Sequence, residues 1–330
     1  MYRIANETSS NLRAIFGNTA TRRGISPAII EKDFWVCFLL EVLFHQSKYS
    51  KHFAFKGGTS LSKVYKAIER FSEDIDLILD WRLLGYLLTQ PWESRSNTKQ
   101  ESFNQEAALR TERFLATEFV PCLEESLSSF IKDFDLHVDP DDSQTVLFRY
   151  PQIFTDKSLL QEIRLEIGPL AAWSPSADKP ITPYAAEEFP KAFRMPSTLV
   201  RTVEAKRTFW EKATILHREA NRKSGKQPIR YSRHYYDLHM LCNTPIKHEA
   251  LEDIELLRKV AVFKDKFFHC SWAKYEEALP ETMRLVPPDS VVEKLKEDFE
   301  NMKPMIFGTI PSFEQILATL REFEQEMRTH

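Results

Sequence analysis

The chain has 330 residues and a formal net charge of −3, from 45 Lys and Arg against 48 Asp and Glu. A chain of that length, with 42% apolar and 28% charged residues, can bury a large core, which excludes a disordered polypeptide. The near balance of charge excludes a uniformly basic nucleic-acid binder, so any basic surface must be local.

Residues 1 to about 50 are expected to be helical. Ser26-Pro27 is a good helix start, with a capping serine and proline at the first helical position, and the helix should run to His45. Its apolar run Phe34 to Phe44 is interrupted by Glu41 and is too short to span a bilayer. Cys37 lies in this run, and Cys122, Cys242 and Cys270 are scattered without a CxxC pair, which argues against zinc and for a reducing compartment. With a polar N-terminus that lacks a signal-peptide core, the reading is a cytoplasmic protein with no membrane partner.

Phe53 to Asp80, FAFKGGTSLSKVYKAIERFSEDIDLILD, is the most informative stretch. It reads as a short strand, a glycine turn at Lys56 to Thr59, a helix over Ser60 to Arg70, and a second strand in which Ile75, Leu77 and Leu79 alternate with Asp74, Asp76 and Asp80. That period of two puts Asp74 and Asp76 on one face. A long helix is expected over Phe103 to Phe130, interrupted near Pro121, and strands over Phe134 to Val138 and Thr145 to Tyr150. Gln161 to Gly168 alternates strictly, with Glu162, Arg164 and Glu166 on its polar face. The prolines between Pro169 and Pro196 mark irregular connections, one or two edge strands and a domain boundary. Helices are then expected at Leu199 to His217, Arg233 to Cys242, Glu249 to Phe268, Ser290 to Met302 and from Ser312 onward. The expected class is α/β (α+β): a mixed-sheet core with N-terminal helices over 1–195, and a mainly helical C-terminal domain over 196–330.

Paired carboxylates on a strand suit a divalent-cation site, since magnesium takes hard oxygen ligands and completes its shell with substrate phosphates. A glycine turn that opens a helix suits the polyphosphate itself. GGTSLSK is not a Walker A loop, because it lacks the GK[ST] ending. DxD alone, or GG alone, is weak; the strand, GG turn, helix and DxD strand together are much more specific.

KGGTSLSK followed by RFSEDIDL resembles the signature of the AbiEii/AbiGii nucleotidyltransferase toxins, within the DNA polymerase β-like superfamily. IEKDFWV, RTFWEKATILH, SRHYYDLHML and MIFGTIPSFEQIL also resemble stretches of that family, so the likeness covers nearly the whole chain. The resemblance implies a polymerase β-like core, a nucleoside triphosphate substrate, Mg²⁺ with Mn²⁺ as an alternative, an RNA acceptor such as a tRNA 3′ end, and a cognate antitoxin. It implies a metal pair at Asp74 and Asp76, and nucleotide binding by Gly57, Gly58 and Thr59 with Ser60 as a further member. It also implies a catalytic lysine at Lys212 with Asp237 as its partner, either orienting the lysine or acting as a base. Lys212 taken alone reads equally as a solvated helix lysine. Glu166 is the candidate third carboxylate, with Glu162 and a simple solvated glutamate as the competing readings. Arg70 is a candidate phosphate contact, and an exposed arginine at a helix end is the bland alternative. The basic loop from Arg218 to Arg233 is read as an RNA contact through Lys223 and Lys226. The rival readings are transfer of NMP to a protein hydroxyl, and a non-catalytic NTP- or RNA-binding module.

Overall fold

Apolar positions that recur at helical spacing build the first elements: α1 (Tyr2–Ala5), α2 (Ser9–Arg23) and α3 (Pro27–His45). The computed structural model describes residues 1–72, 74–156, 159–171, 174–223 and 228–329. α3 begins at Pro27 as expected and is buried on nearly every side, the signature of a central core helix. Its rings Phe34 and Trp35 meet Phe16, Phe148, Tyr150 and Phe193 from the surrounding elements.

The chain then forms β1 (Phe53–Lys56), α4 (Gly57–Lys63) and β2 (Ile75–Leu79). α5 (Asn97–Phe114) passes through a π-helical turn at Leu115–Phe119 into α6 (Val120–Ser128). Pro121 lies in the first turn of α6, where a missing backbone donor is tolerated. β3 (Asp135–Asp139), β4 (Asp142–Arg149), β5 (Ile163–Gly168), β6 (Ser176–Ile181), α7 (Tyr184–Glu188) and β7 (Thr198–Val203) follow. The seven strands form one mixed sheet in the order β3-β4-β5-β2-β1-β7-β6. β1 runs antiparallel to β2 and parallel to β7, and β2 runs parallel to β5. β6, which carries Pro180, is an edge strand as the proline rule requires.

The remaining helices are α8 (Ala205–Ala220), α9 (Ser232–Cys242), α10 (Pro245–Leu251), α11 (Ile254–Phe267), α12 (Asp289–Met302) and α13 (Phe313–Thr329). Two compact units result. The first comprises Met1–Val64, Ser72–Arg95 and Ser102–Val203, and holds the whole sheet; the second comprises Tyr65–Phe71, Ser96–Glu101 and Glu204–His330. They part after β7, whereas the sequence places a boundary at 195/196.

Three expectations need correction. The helix read over Ser60 to Arg70 starts at Gly57 and stops at Lys63, and Lys66 has φ of 50°, a left-handed conformation that no helix continues through. The first residues of the helix read over Leu199 to His217 are a strand: Thr198, Val200, Thr202 and Val203 are β-branched and pair with β6. The helix read over Glu249 to Phe268 is two helices, because the Asp253 carboxylate accepts the Leu256 N–H and restarts the chain as α11.

Charges inside α3 tie the first unit together. Glu31 accepts the backbone N–H groups of Ile153 and Phe154 at 2.8 and 2.9 Å, and Lys32 donates to the Leu160 carbonyl at 2.7 Å. Asp33 pairs with Lys63 of α4 at 2.5 Å and accepts the Tyr184 N–H at 2.6 Å. Lys63 also lies 3.5 Å from the Tyr184 ring centroid. Burial alone would lower the affinity of the Lys63 amine for its proton, but Asp33, Cys37 and Tyr184 reverse that and hold it protonated. Breaking a buried pair leaves one charge uncompensated, at a cost of about 3–5 kcal/mol. Asp33→Ala should therefore lower unfolding stability by about that amount in urea titrations, and adding Lys63→Met should recover most of it. An Asp33→Ala variant as stable as the parent would show that the pair does not hold α4.

Candidate active site

In the first unit, the predicted glycine turn lies where β1 turns into α4. Lys56 is fully extended and Gly57 then takes φ of 78°, a region that side chains rarely adopt. A second constraint acts on the same glycine. A Cβ at position 57 would lie 1.9 Å from Asp76 Oδ2, so the turn and this carboxylate are in contact only because the side chain is absent. The register explains the meeting: Lys56 of β1 is opposite Asp76 of β2.

Asp76 is in turn aligned with Glu166 of β5, so these two carboxylates are cross-strand neighbours on one face. Asp74 precedes β2 by one residue. On the opposite face Ile75, Leu77 and Leu79 are buried in the main core. Sequence reading passed over Arg164, two residues before Glu166 on the same strand. Its guanidinium donates to Asp139 at 2.7 Å. Partial burial disfavours its charge, but Asp139, Asp74 and Glu166 outweigh this and raise its pKa. The strict alternation of β5 was the available signal.

Thr59 and Ser60 are both buried. The Thr59 hydroxyl donates to the Asp74 carbonyl at 2.5 Å, and the Ser60 hydroxyl to the Gly57 carbonyl at 2.8 Å. The two side chains therefore brace the turn and the start of β2 from within. α4 has only seven residues, so its macrodipole is small.

The second unit carries the other predicted residues. Lys212 on α8 is 7% exposed and donates to Asp237 of α9 at 2.8 Å. Arg70 grips the same carboxylate with two parallel bonds, Nε to Oδ1 at 2.7 Å and Nη2 to Oδ2 at 2.9 Å. A third Arg70 donor reaches the Phe71 carbonyl at 3.2 Å. The segment bearing Arg70 is clamped by the C-terminal MIFG stretch. Phe71 N–H donates to the Met305 carbonyl at 2.7 Å, and Phe307 N–H to the Glu69 carbonyl at 2.8 Å. Arg70 is thus not the exposed helix-end arginine of the bland alternative; it is 6% exposed and anchors Asp237. Burial would raise the Asp237 pKa, but Arg70 and Lys212 overcome this and hold it far below the carboxylate range. The same burial lowers the pKa of Lys212, against the pull of Asp237.

The basic loop is less charged than its composition. Glu219 is fully buried and accepts from Arg218 at 2.9 Å and from Arg222 at 2.5 Å. Arg222 also lies 4.2 Å from the Trp272 ring centroid. Lys223, Arg230 and Arg233 are exposed. Lys226 lies outside the described residues.

A family model described as "Nucleotidyl transferase AbiEii toxin, Type IV TA system" matches residues 39–319. The chain belongs to the AbiEii nucleotidyltransferase toxin family. It is a nucleotidyltransferase of a type IV toxin–antitoxin system, which implies a nucleoside triphosphate substrate and a cognate antitoxin. No curated protein matches it in sequence. Among solved structures it is similar to MenT4, a nucleotidyltransferase toxin from Mycobacterium tuberculosis H37Rv, at 14% identity and a TM-score of 0.46, with 98% of this chain and 99% of that chain covered.

In this AbiEii-family chain, no group of three His, Cys, Asp or Glu side chains among the described residues is gathered to hold a metal ion. Magnesium needs no such cage, since one or two carboxylates together with water and substrate phosphates complete its shell. The donor chemistry of Asp74 and of Asp76, whose carboxylate lies against the Gly57 turn where a Cβ would be, fits such an ion. No helix among the described residues is long and apolar enough to cross a membrane.

The turn makes a direct prediction. Gly57→Ala forces a left-handed alanine and pushes the Asp76 carboxylate aside, so it should lose about 1–2 kcal/mol of stability and at least roughly tenfold in NMP transfer. Urea unfolding and incorporation of labelled NMP read both effects. Parental behaviour in both would remove the steric argument.

Proposed function

We propose that the protein transfers NMP from a nucleoside triphosphate to the hydroxyl of an RNA 3′ end, with tRNA as the acceptor class, in a Mg²⁺-dependent reaction. The observation that carries this reading is the contact of the Gly57 turn with Asp76, in register with Glu166 and two residues from Asp74. Asp74 and Asp76 would hold the ion, which when bound neutralises phosphate charge and stabilises the leaving pyrophosphate. Mn²⁺ offers the same hard-ligand chemistry.

The backbone of Gly57, Gly58, Thr59 and Ser60 would cradle the phosphates, while the Thr59 and Ser60 hydroxyls keep the turn in shape. The acceptor oxygen attacks the α-phosphorus as the bond from that phosphorus to the α,β-bridging oxygen breaks, releasing pyrophosphate. Glu166 is suited to take the hydroxyl proton, because it is exposed on the acid-bearing face. Lys212 would offset negative charge on the phosphates. Asp237, with both oxygens engaged by cations and its pKa depressed, acts as the orienting group and not as a base. Arg70 serves the nucleotide indirectly, by anchoring Asp237.

Two experiments test this. Asp76→Ala should fold like the parent and lose transfer of label from each NTP to total RNA in the presence of Mg²⁺; retained transfer would sink the assignment. Label appearing on total protein instead would favour the protein-hydroxyl reading. For the acceptor, Lys223→Ala with Lys226→Ala should weaken RNA binding and flatten the slope of log K against log salt by roughly one to two. An unchanged slope would remove this loop from the acceptor site.

A further inference from the structure

We propose that His234 is a positioning residue for Lys212: its ring nitrogen and the Asp237 carboxylate take two of the three ammonium N–H groups and so aim the third at the substrate. The inference rests on the reading of Lys212 as the lysine that meets the triphosphate. His234 lies in the SRHYYDLHML stretch, in which the resemblance implies a role for Asp237 alone.

The geometry is specific. His234 and Asp237 lie three residues apart on α9, which places them on one helix face. Lys212 Nζ lies 3.1 Å from His234 Nδ1 and 2.8 Å from Asp237 Oδ2. Among the described residues these are its two acceptors. An ammonium has donors only, so His234 Nδ1 must accept, the ring proton must sit on Nε2, and the ring must be neutral. The Tyr231 ring stands edge-on to the imidazole at 4.8 Å between centroids and an interplanar angle of 77°, which fixes the plane of the acceptor.

The charges around the ring agree with a neutral histidine. Lys212 faces it from α8, Asp237 and Arg233 from α9, and Arg70 from the Tyr65–Phe71 segment. Burial, then the cations Lys212 and Arg233, push its pKa well below the ordinary histidine value. A protonated His234 would present an N–H to the ammonium and break the contact. Without His234, Lys212 could rotate about its single bond to Asp237. With it, two fixed acceptors leave one direction for the remaining donor. A neutral acceptor also favours the charged amine, opposing the burial that disfavours it.

Nitrogen-detected NMR of the selectively labelled full-length protein tests this. In the parent, His234 should be the neutral Nε2–H tautomer throughout the range from about pH 6 to 8, around the ordinary histidine value. His234→Phe keeps the ring volume and removes the acceptor. It should lower the pH at which Lys212 titrates and reduce kcat by about ten- to a hundredfold, the scale of one lost bond to a charged group. KM for the NTP should change much less. His234→Asn, which returns an oxygen acceptor near the Nδ1 position, should recover most of both effects.

A cationic or Nδ1–H histidine in the parent would overturn the inference, even if neither variant folds. So would an unchanged Lys212 titration and rate in folded His234→Phe, or equal damage in the Phe and Asn variants. Lys212→Ala separates the two readings. Full transfer in that variant defeats the role of the lysine, while the tautomer and titration still decide whether His234 holds it.

Discussion

The contact between the Gly57 turn and the Asp76 carboxylate is the constraint on which the β1–α4–β2 arrangement depends. A Cβ at this point would overlap the acid, and the backbone angle there is one that glycine adopts without strain. The contact needs β1 and β2 in one register, with Lys56 opposite Asp76. It also needs α4 to begin at the glycines themselves, since the helix has only seven residues in which to turn away from the sheet. Its far end is held by Lys63 against Asp33, inside the central helix α3. A turn on the polar face is thus positioned by an ion pair in the core.

Buried charge recurs as the positioning device in both units. Four buried acids have their oxygens occupied: Asp33 by Lys63 and the Tyr184 N–H, Glu31 by two successive backbone N–H groups, Glu219 by two arginines, and Asp237 by Arg70 and Lys212. Such groups add little net stability over a well-packed apolar core, because desolvation offsets most of the attraction. They do fix geometry, since any alternative packing would strand a charge. IEKDFWV makes sense in these terms: three successive charged residues sit in a largely apolar helix, and each ties a different segment to it.

What could be read from the sequence follows the range of the interaction involved. The two aspartates and the polar face of β5 were legible, since a period of two is local information. The start of α3 was legible from Pro27 for the same reason. That Asp76 and Glu166 are aligned was not, because register between strands so far apart in the chain is set by the packed sheet. Nor was the partner of Arg70 legible: it meets the carboxylate of Asp237, 167 residues along the chain. The short α4 was missed because Val64, Tyr65 and Ile68 continue a helical spacing that the left-handed Lys66 interrupts. Leu199 to Val203 was misread because an apolar run entering a helix looks helical until a partner strand claims it.

The same distinction between local and distant partners bears on the role proposed for Asp237. A general base works best when its pKa lies near the operating pH and its oxygen can reach the proton to be taken. Asp237 has neither property. Its two oxygens are bound by Arg70 and Lys212, and those cations depress its pKa against the effect of burial. What such a carboxylate does well is hold a cation in one place. Lys212 is buried enough for its charge to be disfavoured, so it stays an ammonium only while its acceptors stay in place. Arg70 keeps the aspartate where the lysine needs it, and the C-terminal Met305–Gly308 stretch keeps Arg70 in turn. The closing MIFG motif is therefore a support of the lysine at one remove, because it holds the segment that carries Arg70.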